Sequence, residues 1–486
     1  MIMANLTPKS VFDCFAQINQ VPRPSKREEK MIEFLRNFGE SHGLDTHVDE
    51  VGNVIIRKPA TPGYEDRKTV ILQSHHDMVC EKNKDVDFDF DKDAIQTYVD
   101  GEWLKAKGTT LGADDGIGCA MEMALLLADD VEHGPIECVF TRDEETGLTG
   151  AEGMQPGFMT GEYLINLDSE DEGEIFVSCA GGVRTEARFP MPAAECESVD
   201  GMFVARVFVK GLTGGHSGDD INKNRANANK LLVRFLVEEM EKTDLRLLDL
   251  QSGGLHNAIP REGQAIIAVP MSFKEQLRVD INVLAANARE EFSVTEPDMV
   301  IDLESTTSDL KALPKERTER MLKSLLAVHH GVYAMSQDLE GLVETSSNLA
   351  CMHLEGEEVV VNTSQRSSVP SNLPNMARII RCAFELGGAK CVTNEGYPGW
   401  KMNPKSEIVK IARDSYVRLF GKEPKVKAIH AGLECGLFSE KYPSLDMCSF
   451  GPTLRGVHSP DEKLLIPTVQ MVWDHLLDIL KNIPQK

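Results

Sequence analysis

The sequence has no C-x-x-C pair, no apolar run approaching ~18 residues, no excess of basic residues and no apolar core near its start. Each absence removes a class of function. Without C-x-x-C, a thiolate zinc site has no scaffold. Without a long apolar run, no segment is expected to span a membrane. Lys and Arg number 52 against 77 Asp and Glu, a formal net charge of -25. Nucleic acid and anionic membrane surfaces both call for a basic face, so neither is an expected partner. The opening M-I-M-A-N-L-T-P-K-S lacks the apolar core of a secretion signal. The 11 cysteines are an odd number without a spaced framework. Cys80, Cys119, Cys138 and Cys179 sit in or beside apolar runs and read as small buried hydrophobes in a reducing compartment. The expected location is cytoplasmic.

What is present begins with size. At 486 residues the chain exceeds a single hydrophobic core, so two domains or more are expected. The stretch Thr69 to Asp77, T-V-I-L-Q-S-H-H-D, reads as a buried strand ending in two histidines and an aspartate. Side chains alternate faces along a strand, so His75 and Asp77 share one face and His76 points away. A histidine with a carboxylate two residues on suits a metal site. One ring nitrogen binds the ion while the carboxylate holds the proton on the other.

Similar strand ends follow. Ile136–Thr141 runs into Asp143-Glu144-Glu145, and Tyr163–Leu167 runs into Asp168. Between them, G-T-T-L-G-A-D-D-G-I-G at 108–118 is a Gly-rich turn feeding a helix. Asp114 and Asp115 stand where acidic residues favour a helix start, and one of the two is expected to do only that. Strands alternating with helices indicate an α/β fold with a mainly parallel sheet, and sites in such sheets form at the carboxyl ends of the strands.

Near Arg184–Pro192 the pattern changes. From Met202 the order strand, helix, strand, strand, helix, strand describes a ferredoxin-like α+β sandwich. A second round could follow from Lys315 to Thr393, with Asn257 and Asn348 in comparable places before a strand. After Y-P-G-W at 397–400 the first pattern returns and includes H-A-G-L-E-C-G and G-V-H-S-P-D-E. The expected organisation is a discontinuous catalytic domain, 1–186 plus 395–486, with 187–394 inserted as a lid.

His75, Asp114, Glu145, Asp168 and His458 together offer two imidazoles and three carboxylates, which suit two zinc-like divalent ions. Two ions ~3.5–4 Å apart need a bridging carboxylate, and Asp114 on its Gly-rich loop is the best placed. Glu144 is then available to take a proton from a metal-activated water and pass it to a leaving amine. The plainer reading of Asp143-Glu144-Glu145 is a solvated charged turn.

These motifs, taken in order, resemble the dizinc aminopeptidase/carboxypeptidase superfamily, and within it the cytosolic aminoacyl-histidine or non-specific dipeptidases. The resemblance covers essentially the whole chain. It implies that His75, Asp114 and Asp168 hold one zinc and that Asp114, Glu145 and His458 hold the other. It implies that Asp77 orients His75 and that Glu144 is general base, then general acid, in attack by a metal-bridging hydroxide. In the lid it implies that His216 steadies the scissile carbonyl or oxyanion, that Asn257 binds substrate, and that Arg366 clamps the dipeptide's C-terminal carboxylate. Gly432 would let the backbone approach the substrate. The expected substrates are unblocked dipeptides, Xaa-His among them, and cobalt or manganese could replace zinc. An N-acyl amino acid amidohydrolase, a tripeptidase on the same site and a non-catalytic scaffold are the rivals. Oligomeric state stays open between a homodimer through lid–lid strand pairing and a single chain in which a duplicated lid meets that need.

Overall fold

The computed structural model describes residues 3–337 and 339–486. The chain divides into two compact units. One comprises Met1–Ser178, Met402–Ala428 and Leu433–Lys486; the other comprises Cys179–Lys401 and Ile429–Gly432.

The first unit is built on an eight-stranded sheet. Its centre is four parallel strands in the order Ile136–Thr141, Val70–His75, Tyr163–Asn166, Asp446–Ser449. Antiparallel strands flank this centre: Val54–Lys58 and then Asp45–Val48 on one side, Glu174–Cys179 on the other. Every residue of Val70–His75 and of Ile136–Thr141 is buried. That is the burial of a parallel strand covered on both faces, and it explains why Val70–Leu72 and Cys138–Phe140 are apolar in succession rather than in alternation. Helices are closed by local chemistry. The Ser406 hydroxyl accepts from Val409 N–H at the start of Glu407–Phe420, and Gly421 ends that helix at φ +67°. A small four-stranded sheet pairs Lys463–Leu465 with both Leu454–Arg455 and Trp103–Ala106.

The second unit has a nine-stranded antiparallel sheet. Burial alternates along Met202–Lys210, the mark of a sheet with one face against helices. Two ferredoxin-like repeats make it. The first is Met202–Lys210, helix Ala228–Lys242, Arg246–Ser252, Gly263–Pro270, helix Lys274–Glu291 and Val300–Ser305, with spatial strand order four-one-three-two. The second shows the same order read from the opposite edge: Val343–Glu355, Glu358–Ser367, Gly181–Pro190, Lys390–Thr393. The repeats meet where Gln251 pairs His353. The change of pattern read near residues 184–192 therefore lies within a strand. Gly181–Pro190 opens the second repeat, and the first repeat is inserted behind it. Asn348 does not precede a strand. It lies inside Val343–Glu355, and its amide donates to Ala258 O at 2.8 Å.

Candidate metal centre

The parallel strands aim their carboxyl ends at one place. His75 closes Val70–His75, and Asp77 follows it. Asp77 Oδ1 lies 3.2 Å from His75 Nδ1. The same carboxylate accepts from Ser25 Oγ at 2.7 Å and from Glu144 N–H at 3.0 Å. Held from three sides, Asp77 fixes the imidazole so that Nε2 faces Asp114 Oδ1 at 3.1 Å and Asp168 Oδ1 at 3.7 Å.

Asp114 is the hub. Its second oxygen, Oδ2, lies 3.1 Å from His458 Nε2, and His458 Nε2 lies 3.0 Å from Glu145 Oε2. Two donor sets thus share one carboxylate, His75 with Asp168 on one side and His458 with Glu145 on the other. Burial would raise the Asp114 carboxyl, yet its contacts with His458 and His75 hold it well below the ordinary range. Burial would lower His75, yet Asp168, Asp114 and Asp77 push it well up. Asp168, Glu144 and Glu145 are all raised, first by burial and then by their acidic neighbours.

This donor set fits divalent cations. Two ligand atoms bonded ~2.0–2.2 Å from one tetrahedral ion sit roughly 3.4 Å apart. The N–O separations here run from 3.0 to 3.7 Å. One Glu145 oxygen, Oε1, is buried without any partner. A divalent cation among these atoms would take the imidazole and carboxylate lone pairs that otherwise share protons at these distances.

Neighbouring residues have distinct duties. Asp115, next to Asp114, turns away and accepts from Gly118 N–H at 3.2 Å, so it caps the helix that follows. His76 is buried with Nε2 3.3 Å from Gly52 O, and burial holds its pKa down to about 4. Asp143 accepts from the Thr146 and Thr149 hydroxyls at 2.5 and 2.6 Å and forms the turn. That leaves the Glu144 and Glu145 carboxylates outside the turn's own hydrogen bonding.

Several participants were not assigned a part from the sequence. Arg23, only 1% exposed, donates to Asp77 O at 2.9 Å and to Gly112 O at 2.6 Å. Gly112 adopts φ +66°, and a Cβ there would meet Arg23 Nη2 at 2.5 Å. Glu434 is buried below the strand ends. It accepts from Gln73 Nε2 at 2.6 Å and Thr141 Oγ1 at 2.7 Å, and burial pushes its carboxyl up to about 7. Glu462 accepts from four successive backbone N–H groups of the loop leading to Asp114. Glu434 and Glu462 belong to motifs visible in the sequence, but nothing in their spacing says which backbone they meet.

The second unit gathers the remaining candidates. Arg366 is buried, and its Nη1 donates to Tyr397 Oη at 2.9 Å. Its Nη2 lies 3.4 Å from His216 Nε2 and 3.5 Å from Ser217 Oγ, and its Nε is buried without a partner. Among the described residues no carboxylate forms an ion pair with it. His216 is steadied by Asp219 N–H, which donates to Nδ1 at 3.2 Å. Asn257 is exposed, and its carbonyl accepts from Ser217 N–H at 2.8 Å, which ties it to the His216 turn. Gly432 packs against Tyr397, where a Cβ would come within 2.7 Å of the ring. His430, in the same H-A-G segment, pairs Nε2 with Ser346 Oγ at 2.8 Å, and burial holds it down to about 3.

Comparison with known proteins gives this geometry a family. The model of peptidase family M20/M25/M40 matches residues 71–482. The cytosol non-specific dipeptidase of Escherichia coli (strain K12) is 42% identical over 485 residues, covering 100% of this chain and 99% of that protein. The crystal structure of aminoacylhistidine dipeptidase from Vibrio alginolyticus matches with a TM-score of 0.93 at 42% identity, covering 100% of this chain and 98% of that one. The aminopeptidase PepT of Bacillus cereus, at 15% identity and a TM-score of 0.58, shares the fold. Among the described residues, no helix is long and apolar enough to cross a membrane. With the family model spanning most of its length and a full-length relative at 42% identity, this chain belongs to peptidase family M20/M25/M40.

Proposed function

We propose that this chain is a cytosolic dipeptidase that hydrolyses the one peptide bond of unblocked dipeptides, Xaa-His dipeptides among them. The observation that carries the reading is Asp114, with one oxygen turned to each of two imidazoles. The names of its full-length relatives, a cytosol non-specific dipeptidase and an aminoacylhistidine dipeptidase, support the substrate class and the location.

His75, Asp114 and Asp168 would hold one divalent cation, and Asp114, Glu145 and His458 a second. Imidazole with carboxylate suits zinc first, and cobalt or manganese also. When bound, such ions supply a water that ionises near neutral pH and a Lewis acid for the scissile carbonyl. Asp77 keeps the proton on His75 Nδ1 and the lone pair on Nε2. Glu144 moves the proton. Its carboxylate takes one from the attacking water and delivers it to the departing amine nitrogen. His216 donates to the oxyanion as charge grows there. Arg366, a planar donor with an unpaired Nε, receives the substrate's terminal carboxylate. Asn257 contributes a further polar contact to the substrate, and Gly432 admits its backbone. We also propose that the first unit is the catalytic domain and the second its lid, with the boundary ahead of strand Gly181–Pro190 rather than at 186.

The test is a hydrolysis screen of dipeptides, tripeptides and N-acetylated dipeptides, with and without chelator. Cleavage confined to free dipeptides and abolished by chelation is expected. Intact dipeptides in the presence of zinc would refute the reading, and preferential loss of the acetyl-blocked substrates would favour an amidohydrolase.

A further inference from the structure

Asp114 and His458 are 344 residues apart in sequence, yet their ligand atoms must be placed to within about 0.2 Å for two ions to share a carboxylate. Two links bring the segments together. The first is backbone pairing, in which Lys463, Leu464 and Leu465 pair with Lys105, Leu104 and Trp103 just ahead of the Gly-rich turn. The second is Glu462, four residues beyond His458. Its Oε2 accepts from Leu111 N–H at 2.7 Å and Gly112 N–H at 2.9 Å, and its Oε1 accepts from Ala113 N–H at 2.8 Å and Asp114 N–H at 3.3 Å. The carboxylate is 2% exposed. Every N–H of the turn from Leu111 to Asp114 is committed to this one side chain.

The opposite side of the turn is held as well. Arg23 donates to Gly112 O and, through its other nitrogen, to Asp77 O behind His75. A helix cap would explain only part of this pattern. Asp114 has φ -84° and ψ 110°, outside the helical region, so the four N–H groups belong to a turn preceding the regular helix. A carboxylate that only capped the helix would engage the groups beyond Asp115, and Asp115 already performs that task at Gly118.

We infer that Glu462 is a positioning residue for the bimetal site: it locks the Asp114 turn to the loop carrying His458, so that the shared carboxylate is set before a divalent cation arrives. The inference rests on the dipeptidase reading above only in needing the ions. Glu462 touches neither ion nor substrate; it acts through Asp114 and His458.

The experiment uses the full chain, stripped with chelator and titrated with Co²⁺ alone, followed by the visible absorbance of the bound ion and by calorimetry. Wild type is expected to take two equivalents. Glu462→Gln puts an NH₂ group against two of the four donors, and Glu462→Asp keeps the charge but falls short of part of the turn. Both variants are expected to bind at least one equivalent about 10- to 100-fold more weakly, the usual loss when a residue supporting a ligand is removed. An altered visible spectrum is expected with it. Dipeptide KM should stay near wild type while added Co²⁺ restores kcat. Wild-type affinity and spectrum in Glu462→Asp would overturn the inference, even if that variant melts earlier, because the residue would then be only a structural brace. Should Glu462→Gln fail to fold, Glu462→Asp decides alone. Failure of the wild type to bind Co²⁺ at all would instead sink the dipeptidase reading, and this inference with it.

Discussion

Glu144 and Glu145 are adjacent carboxylates with different surroundings. Glu145 Oε2 faces His458 at 3.0 Å, whereas the Glu144 backbone N–H is spent on Asp77, and burial raises its carboxyl well above the usual carboxylate range. In the proposed mechanism one binds an ion and the other carries a proton. Glu144→Gln keeps shape and volume but cannot accept that proton. Metal analysis should still find two equivalents while kcat falls by about 10²–10⁴-fold, the range for loss of a general base. Full activity in Glu144→Gln would remove the residue from the mechanism. Arg366 makes the complementary case. Among the described residues no carboxylate forms an ion pair with its buried guanidinium, and a buried charge without one is costly unless an anion arrives. Arg366→Ala should lower kcat/KM for dipeptides by about 10- to 100-fold, since a charged hydrogen-bonded pair contributes about 1.5–3 kcal/mol. Dipeptide amides, which lack the carboxylate, should lose much less. Lysine at 366 should restore only a fraction, because a point charge cannot form the two parallel bonds.

At the scale of elements, what could be read in advance followed from burial periodicity. The apolar triplets Val70–Leu72 and Tyr163–Ile165 mark strands covered on both faces, and the histidine or carboxylate a few residues on marks each exit. The choice between Asp114 and Asp115 could not be made locally, because both sit at a helix start; it is decided by Gly118 N–H, which takes Asp115. The first strand of the second ferredoxin-like repeat was illegible for another reason. Gly181–Pro190 pairs with Glu358–Ser367 and Lys390–Thr393, which lie more than a domain's length ahead in the chain. Helix Ile466–Lys481 supplies a measurable element. Its His475 donates from Nε2 to Ala412 O at 2.7 Å, and the ring packs against Tyr416 and Phe450. Burial holds its pKa down to about 4, against ~6.5 when unfolded. The folded state therefore binds fewer protons than the unfolded state between those values. This contribution is complete above about pH 6.5 and is lost as pH falls toward 4, on the order of 3 kcal/mol in all. Denaturant midpoints from pH 7 to 4 should fall less steeply in His475→Gln than in wild type. Parallel slopes would show that another group governs this limb.

At the scale of the whole molecule, the ions and the second unit are expected to be energetically separable. Every proposed ligand lies in the first unit, and Arg366, His216 and Tyr397 lie in the second. An ion that binds only the folded state adds about 2.7 kcal/mol at a hundredfold excess over Kd. Calorimetry with and without chelator should lower the transition of the first unit by roughly 5–10 °C and leave that of the second unit in place. A uniform shift of both would show that they melt as one cooperative body. The placement of His458 has a further consequence. A ribosome emits the chain from the amino end, and this imidazole and the Glu462 carboxylate emerge long after His75, Asp114, Glu145 and Asp168. Until then the three acids and one imidazole proposed as ligands wait without their counterpart, and a half-made molecule is expected to be inactive. On the proposed ligand set, competence waits for the segment that carries His458, as a property of chain order and without any inhibitor.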